Sequence, residues 1–426
     1  MLARRAALSL VGSTAFLGAA QAAPPALPRA ASPAAAGFSA DRLGRIAPWI
    51  NAEIAANRIP GAVIAIGRAG KLAYLESFGF RDRDQRAAMP KDAVFRIASM
   101  TKPMASLSLM LLVEEGRAAL SHPVAQYLPE FATVRVGVDR VAPARPMTLH
   151  DLLRHTSGLT YGSLPIQGAP PPDPVQMLYT DAKVADAEQT NTQFITRLAA
   201  QPLMFQPGTH WEYSHATDVV GRLVEVISGQ DLNAFIQARI CAPLGLADTG
   251  FWAPAASANR CAYPQVDPAT GRKQAVPNPL SEPKWFSGGG GMVSTAADYA
   301  RFCQMLLNGG QYGGVRIASR KTVQLMTQDH LPPGTQYAPG LFSRFGGLAP
   351  SAEFGTGFGL GFAVRTSVGR GAVPGSVGDY SWGGAYGTYF WVDPAEELYA
   401  VLMLQGPSDR LRYRYALRSL VYGAFS

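Results

Sequence analysis

The sequence predicts an α+β fold: one antiparallel sheet built from both chain ends, flanked by helices, with a mainly helical domain inserted between them. Three observations carry this. Strand-like runs fall near the start of the chain, at 61–78, and return only from 358 to 404. Helical periods and long loops fill the interval. One segment of that interval, 102–113, is apolar on nearly every side, as suits a helix buried inside a large domain.

The elements follow in order. Residues 1–22 read as an export signal. Arg4-Arg5 form a charged start, an apolar run follows, and Ala20-Gln21-Ala22 offers small residues for cleavage. The arginine pair raises the twin-arginine route. The expected location is therefore outside the cytoplasm, periplasmic or secreted, with no membrane attachment after cleavage. Residues 23–37 are rich in Ala and Pro and read as a linker. The sheet domain is expected to comprise 38–98 and 286–426, and the helical domain 99–285. A helix is expected over 39–56, capped by Ser39. Residues 61–67 and 72–78 then form a hairpin around 68–71.

In the helical domain, 148–154 reads as a short helix ending at His155. Residues 160–189 show no period and read as a long loop. Residues 214–227 carry a clear helical period, with Gly229 as the stop. Ser294 is expected to cap a helix running to 307. Residues 358–365, 388–392 and 398–404 are β-rich, with Asp393-Pro394 as a turn, and 411–422 is a closing helix.

Composition narrows the function. The chain has 426 residues, 47% hydrophobic and 16% charged, enough for a large core. Its net charge of +8 comes mostly from arginine, since there are only seven lysines. The basic residues are scattered, so no nucleic-acid partner is expected. Three cysteines leave a Cys241–Cys261 bridge open and one thiol over. Neither Cys-x-x-Cys nor His-Glu-x-x-His occurs, so neither a metal nor a cofactor is expected.

Chemistry concentrates in three places. Ser99-Met100-Thr101-Lys102 opens the buried segment, and residues three apart share a helix face. A hydroxyl and an amine are thereby set side by side, as a lysine-activated serine nucleophile requires. Ser-x-x-Lys is short, however, and recurs at Ser281-Glu282-Pro283-Lys284, where proline argues for a loop. Tyr213 stands just before the periodic helix; beside an ammonium it is a candidate general base, and otherwise a core tyrosine. Trp382-Gly383-Gly384-Ala385 precedes a strand. Glycines there admit close backbone approach, and backbone N–H groups there can hold an oxyanion.

Together these residues resemble the penicillin-recognising serine hydrolases, and more closely the family VIII carboxylesterases, which are similar to class C β-lactamases. The resemblance rests on Phe95 to Lys102, Leu152 to Leu159, Tyr213-Ser214, Ser287 to Met292, and Trp382-Gly383-Gly384 ahead of Phe390 to Asp393. It spans roughly residues 40–424 and implies the β-lactamase-like fold. It also implies roles. Ser99 is the acylated nucleophile, Lys102 takes or relays its proton, and Tyr213 acts as general base with Lys102. The N–H groups of Ser99 and Ala385 form the oxyanion hole, and Trp382, Gly383 and Gly384 line the substrate pocket.

Two positions depart from the β-lactamases. Trp382 stands where they carry Lys or His, which removes a cation suited to a substrate carboxylate and favours a neutral ester. His215 stands where they carry Asn, and is a candidate substrate-binding residue. His155 reads as structural. The expected activity is hydrolysis of short-acyl or aromatic carboxylic esters, with a small-molecule ester as the partner. The alternatives are a β-lactamase or D-alanyl-D-alanine carboxypeptidase, and a catalytically silent cell-wall-binding protein. The sequence leaves the natural ester and the oligomeric state open.

Overall fold

In this computed structural model, residues 25–163, 171–268, 270–338, 340, 349–406 and 408–426 are described. The predicted signal peptide, 1–22, lies outside them. The main sheet has eight strands: β1 (Gly61–Arg68), β2 (Lys71–Asp82), β3 (Ala87–Ala88), β4 (Thr356–Phe358), β5 (Ala363–Arg365), β6 (Tyr380–Gly383), β7 (Tyr389–Asp393) and β8 (Leu398–Leu404). Their order across the sheet is β4-β5-β6-β7-β8-β1-β2-β3, and every pair is antiparallel. The two chain ends meet at the centre, where Ala62 faces Leu404 and Arg68 faces Leu398.

Period-two alternation explains why this centre holds. Val63 and Ala65 of β1, with Val401 and Met403 of β8, enter one core. Ala62, Ile64 and Ile66, with Ala400 and Leu402, enter a second core on the opposite face. Both faces are covered, so these strands read as nearly continuous apolar runs.

Helices supply the cover. The principal ones are α1 (Ile46–Ala55), α2 (Lys102–Glu114), α3 (Leu149–Leu153), α4 (Pro174–Asp181), α5 (Asn191–Ala199), α6 (Ala216–Ser228), α7 (Ala296–Leu307) and α8 (Arg410–Tyr422). Ile46, Ile50 and Ile54 of α1 pack with Tyr413, Leu417 and Val421 of α8 against one face. The inward residues of α2 and α7 join the core on the other. Between Ser99 and Trp285 the chain adds no strand to this sheet among the described residues.

Several expectations are corrected. The helix expected over 39–56 is broken. Ser39 caps only Ala40–Leu43, and the chain restarts as α1 after Gly44-Arg45. Residues 25–37 of the expected linker are docked rather than free, and residues 23–24 lie outside the described residues. Leu72 N–H donates to Pro28 O at 2.7 Å, Ala30 N–H donates to Leu72 O at 3.0 Å, and Leu27 and Ala36 are buried. The expected 160–189 loop contains α4. Pro174 fits its first turn, and Asp173 and Gln176 close a capping box. Ser294 is not a helix cap; it lies in a two-residue strand against Phe95–Arg96, and Thr295 caps α7. The run 358–365 is split into β4 and β5 by a turn in which Gly361 has φ +100°. No disulfide forms: Cys241, Cys261 and Cys303 are free and buried, with Cys241 and Cys261 in separate apolar clusters. Among the described residues, no helix is long and apolar enough to cross a membrane.

Candidate active site

Ser99 lies in a 3-10 turn, Ala98–Thr101, that runs directly into α2. The residue before it, Ala98, has φ 45°, a left-handed conformation that costs a side-chain-bearing residue roughly 1–2 kcal/mol. Neighbouring contacts hold it there. Ile97 N–H donates to Met292 O at 3.0 Å, and Thr388 Oγ1 donates to Ile97 O at 3.1 Å. Every residue of α2 from Lys102 to Leu112 is buried, so the turn sits on a rigid mount. Ser99 itself is half-buried.

Lys102 is fully buried, and its Nζ donates to Gly289 O at 2.7 Å and to Tyr161 Oη at 3.1 Å. The same atom lies 4.5 Å from the centre of the Tyr213 ring. An ammonium has three N–H groups, so one remains for Ser99 or for substrate. Among the described residues, no hydrogen bond joins Ser99 Oγ to Lys102 or Tyr213. Tyr213 is buried just before α6, and Trp382 Nε1 donates to its oxygen at 3.3 Å. Trp382 thus helps orient the candidate base. Its ring packs at 5.3 Å against Tyr213 and edge-on at 5.3 Å against Phe358.

The strand β6 reaches the nucleophile through Gly384. A Cβ there would stand 2.4 Å from Ile97 O and 2.2 Å from Thr388 Oγ1. Only glycine allows this loop to lie against the Ser99 turn. Ala385 follows and is exposed; its N–H makes no backbone hydrogen bond among the described residues. Its carbonyl accepts from Arg410 Nη1 at 3.3 Å. Burial lowers the pKa of Arg410, while the nearby Tyr213 phenol works the other way.

His215 is buried, and its Nδ1 is paired with Asp218 Oδ2 at 2.8 Å. Its ring meets Tyr161 edge-on at 4.4 Å, and it lines a cavity of about 430 Å³ with Tyr161, Ser163, Tyr179 and Thr180. Asp218 also accepts from Ser287 Oγ at 2.5 Å and from Gly289 N–H at 2.9 Å. Burial opposes its charge, yet His215, Lys102 and Ser287 outweigh that and hold the carboxyl below the usual range. Asp218 therefore fixes Gly289, whose carbonyl in turn fixes Lys102. Tyr161 is pushed far above the usual phenol range by burial, with Tyr213 and Asp218 adding, so it stays a neutral acceptor for Lys102.

His155 serves the packing. Burial, and then the Lys102 charge, keep its imidazole well below the usual range. Its ring braces Tyr213 at 5.0 Å and Trp211 at 5.9 Å. The second Ser-x-x-Lys is a surface loop: Lys284 pairs with Glu188 at 2.9 Å, both exposed.

Sequence reasoning missed Tyr161, Asp218 and Arg410. Asp218 had a signal, standing three residues after His215 at a helix start. Tyr161 lies in an aperiodic stretch, and Arg410 comes from the far end of the chain. The chain thus brings a half-buried hydroxyl, a buried amine and a buried phenol onto adjoining elements, with the Gly384–Ala385 segment packed against the Ser99 turn. That is the equipment for acyl transfer to serine.

Comparison with known proteins agrees with this fold. The Beta-lactamase family profile matches residues 46–422. Esterase EstB of Burkholderia gladioli is 33% identical over 381 residues, covering 86% of this chain and 91% of EstB. Protein Rv1367c of Mycobacterium tuberculosis is 36% identical over 367 residues, covering 83% of this chain and 88% of the relative. The solved structure of EstCE1, a hydrolase with promiscuous acyltransferase activity, superposes with a TM-score of 0.74 at 28% identity, covering 90% of this chain and 99% of EstCE1. The chain belongs to the Beta-lactamase family of serine hydrolases and groups there with the family VIII esterases.

Proposed function

We propose that this protein is a serine carboxylesterase cleaving short-acyl or aromatic esters through an acyl-enzyme on Ser99. Ser99 Oγ attacks the ester carbonyl carbon as its proton passes to the Tyr213–Lys102 pair. The carbonyl oxygen becomes an oxyanion held by the N–H groups of Ser99 and Ala385. Collapse breaks the bond to the alkoxy oxygen, which leaves with the proton held by the pair. Water then attacks the acyl-enzyme by the same route, releasing the acid and restoring the Ser99 hydroxyl. Action outside the cytoplasm, after loss of residues 1–22, is part of the proposal and rests on the sequence of that segment.

The observation that carries the ester reading is Trp382. An indole N–H, not an ammonium, meets the Tyr213 oxygen, and the surrounding wall is aromatic. A neutral acyl or alkoxy group suits such a wall. Arg410, half-buried and bonded to the Ala385 carbonyl, favours the second reading, a β-lactamase or peptidase, because it offers a cation to a carboxylate-bearing substrate. Hydrolysis of p-nitrophenyl butyrate measured beside nitrocefin separates the two. The expected result is a kcat/KM for the ester well above that for nitrocefin. Rapid nitrocefin turnover with negligible ester cleavage would overturn the ester reading.

The oxyanion geometry has its own test. Gly384→Ala forces apart the Ile97 carbonyl and the loop bearing Ala385. The expected loss of kcat on p-nitrophenyl butyrate is on the order of tenfold to a hundredfold, because small misplacements of a catalytic donor are costly. An unchanged kcat would exclude this loop from the oxyanion hole.

A further inference from the structure

His215 lies beside the proton carriers and takes no part in the reaction as proposed. It stands just before α6 and is only 3% exposed. Its Nδ1 meets Asp218 Oδ2 at 2.8 Å. Its other ring nitrogen, Nε2, has no hydrogen-bond partner among the described residues, yet it is not sealed inside the packing. The imidazole instead lines a cavity of about 430 Å³. Polar atoms on a side chain this buried are seldom left unpaired, so an Nε2 open to a cavity marks a place for a ligand atom.

Other polar groups of the lining are committed to the fold. Ser163 N–H donates to Thr180 Oγ1 at 2.7 Å, and Thr180 Oγ1 donates to Gln176 O at 3.0 Å. Tyr179 Oη donates to Pro202 O at 3.1 Å. A Cβ on Gly162 would stand 2.7 Å from Thr180 Oγ1, so the chain there is packed closely on α4. Lys183 and Asp186 add one charge of each sign, and Asp186 is paired with Arg197 at 3.3 Å. The walls are aromatic. Tyr161 and Tyr179 line the cavity, and the His215 ring is met edge-on by Tyr161 at 4.4 Å and by Phe194 at 5.4 Å.

Asp218 decides what Nε2 offers. Its carboxyl is held below the usual range and stays ionised, so it needs a donor, and Nδ1 carries the proton. Lys102 already supplies a positive charge to Asp218. A neutral imidazole in this tautomer leaves a lone pair on Nε2, which makes it an acceptor. We propose that the cavity receives a hydroxylated aromatic group of the ester substrate, its hydroxyl donating to His215 Nε2. This rests on the ester reading above and narrows it to a substrate class. An apolar ring with one donor matches aromatic walls with one open acceptor. The volume takes a substituted benzene ring with space left for its linker.

Tyr161 joins this cavity to the proton carriers. Its ring lines the cavity and packs at 5.5 Å against Tyr213, and its oxygen accepts from Lys102 Nζ at 3.1 Å. A ring seated in the cavity therefore lies against the tyrosine that positions Lys102. Asp218 ties the two together a second way, since it orients His215 and also holds Gly289, whose carbonyl accepts from Lys102.

Two matched pairs of esters test this and show which side of the ester enters the cavity. For the acyl side, p-nitrophenyl 3-(4-hydroxyphenyl)propanoate is compared with its 4-fluorophenyl counterpart. For the alcohol side, 2-(4-hydroxyphenyl)ethyl butyrate is compared with its 4-fluorophenyl counterpart. In one of the pairs the hydroxylated ester is expected to have a kcat/KM about tenfold higher, the effect of one well-made hydrogen bond. His215→Asn keeps a donor near the place of Nδ1 for Asp218 and removes Nε2, so that ratio should fall to about one. Binding gives a readout free of hydrolysis. By calorimetry on the full chain, 4-ethylphenol should bind about tenfold more tightly than 1-ethyl-4-fluorobenzene. A crystal soaked in 4-ethylphenol should place the phenol oxygen within hydrogen-bond distance of His215 Nε2. Should His215→Asn fail to fold, the wild-type ratios and the soaked crystal decide alone. Ratios near one in both pairs, equal binding of the two ring compounds, or a ratio unchanged in His215→Asn overturns the proposal. Failure of the ester reading is seen separately, as no cleavage of p-nitrophenyl butyrate, while 4-ethylphenol still decides what the cavity holds.

Discussion

Ser99→Ala is expected to lower ester hydrolysis by at least about 10⁴-fold while leaving the fold intact. The argument has two parts. Chemically, the proposed acyl-enzyme bond is made by the Ser99 hydroxyl, and the proposed roles of Lys102 and Tyr213 are to carry its proton, so the variant lacks the nucleophile. Structurally, the hydroxyl bears little of the fold. Its oxygen makes no side-chain hydrogen bond among the described residues, and the turn is held instead by Ile97 through Met292 and Thr388. The left-handed Ala98 and the buried α2 are untouched by the change. The thermal midpoint should therefore move by no more than about 2 °C, the range of a surface-like substitution. A fluorophosphonate probe should add to the wild-type peptide containing Ser99 and not to the variant. Activity above about 1% of wild type in the variant, with probe still bound elsewhere, would remove Ser99 from its role.

What the sequence could reveal tracks the range of the interactions involved. The hairpin of β1 and β2 was legible because its pairing is local and its turn residues sit between two apolar runs. The β7–β8 hairpin and the Gly229 stop were legible for the same reason. The buried α2 was legible because an all-apolar surface has one physical outcome. The misses are tertiary. Ser294 and Thr295 are both good caps, and only the pairing of Val293–Ser294 with Phe95–Arg96 decides between them. Nothing local marks 28–30 as a partner for the start of β2.

The same division holds within the site. Ser99 and Lys102 share one helix turn, so their spacing could be read. Tyr161 reaches Lys102 across 59 residues of sequence, and Gly289 across 187. Asp218 reaches Ser287 across 69 residues and Gly289 across 71. These supporting residues hold the ones that a motif can name, and they leave no fixed spacing to find.

Lys102→Met and Tyr213→Phe are each expected to lower kcat/KM on an alkyl ester by on the order of a thousandfold, as loss of a positioned proton carrier does. The two losses differ in kind. Lys102→Met keeps the length of a buried side chain but removes the donor to Gly289 O and Tyr161 Oη, so some stability should go with the activity. Tyr213→Phe removes one oxygen, keeps the ring packed against Trp382 and His155, and leaves the Trp382 N–H without its acceptor. If Tyr213 both receives the Ser99 proton and returns it to the leaving oxygen, the leaving group decides how much is lost. An alkoxide must be protonated as it departs; p-nitrophenolate need not be. Tyr213→Phe should therefore lose at least tenfold less on p-nitrophenyl butyrate than on ethyl butyrate, measured as kcat/KM on both. Equal losses on the two esters would confine Tyr213 to the attack step. Because the pair handles one proton, the double variant Lys102→Met/Tyr213→Phe should be only slightly worse than either single one. Multiplying losses would mean that Lys102 and Tyr213 act independently, and that the contact of Nζ with the Tyr213 ring is packing rather than a proton path.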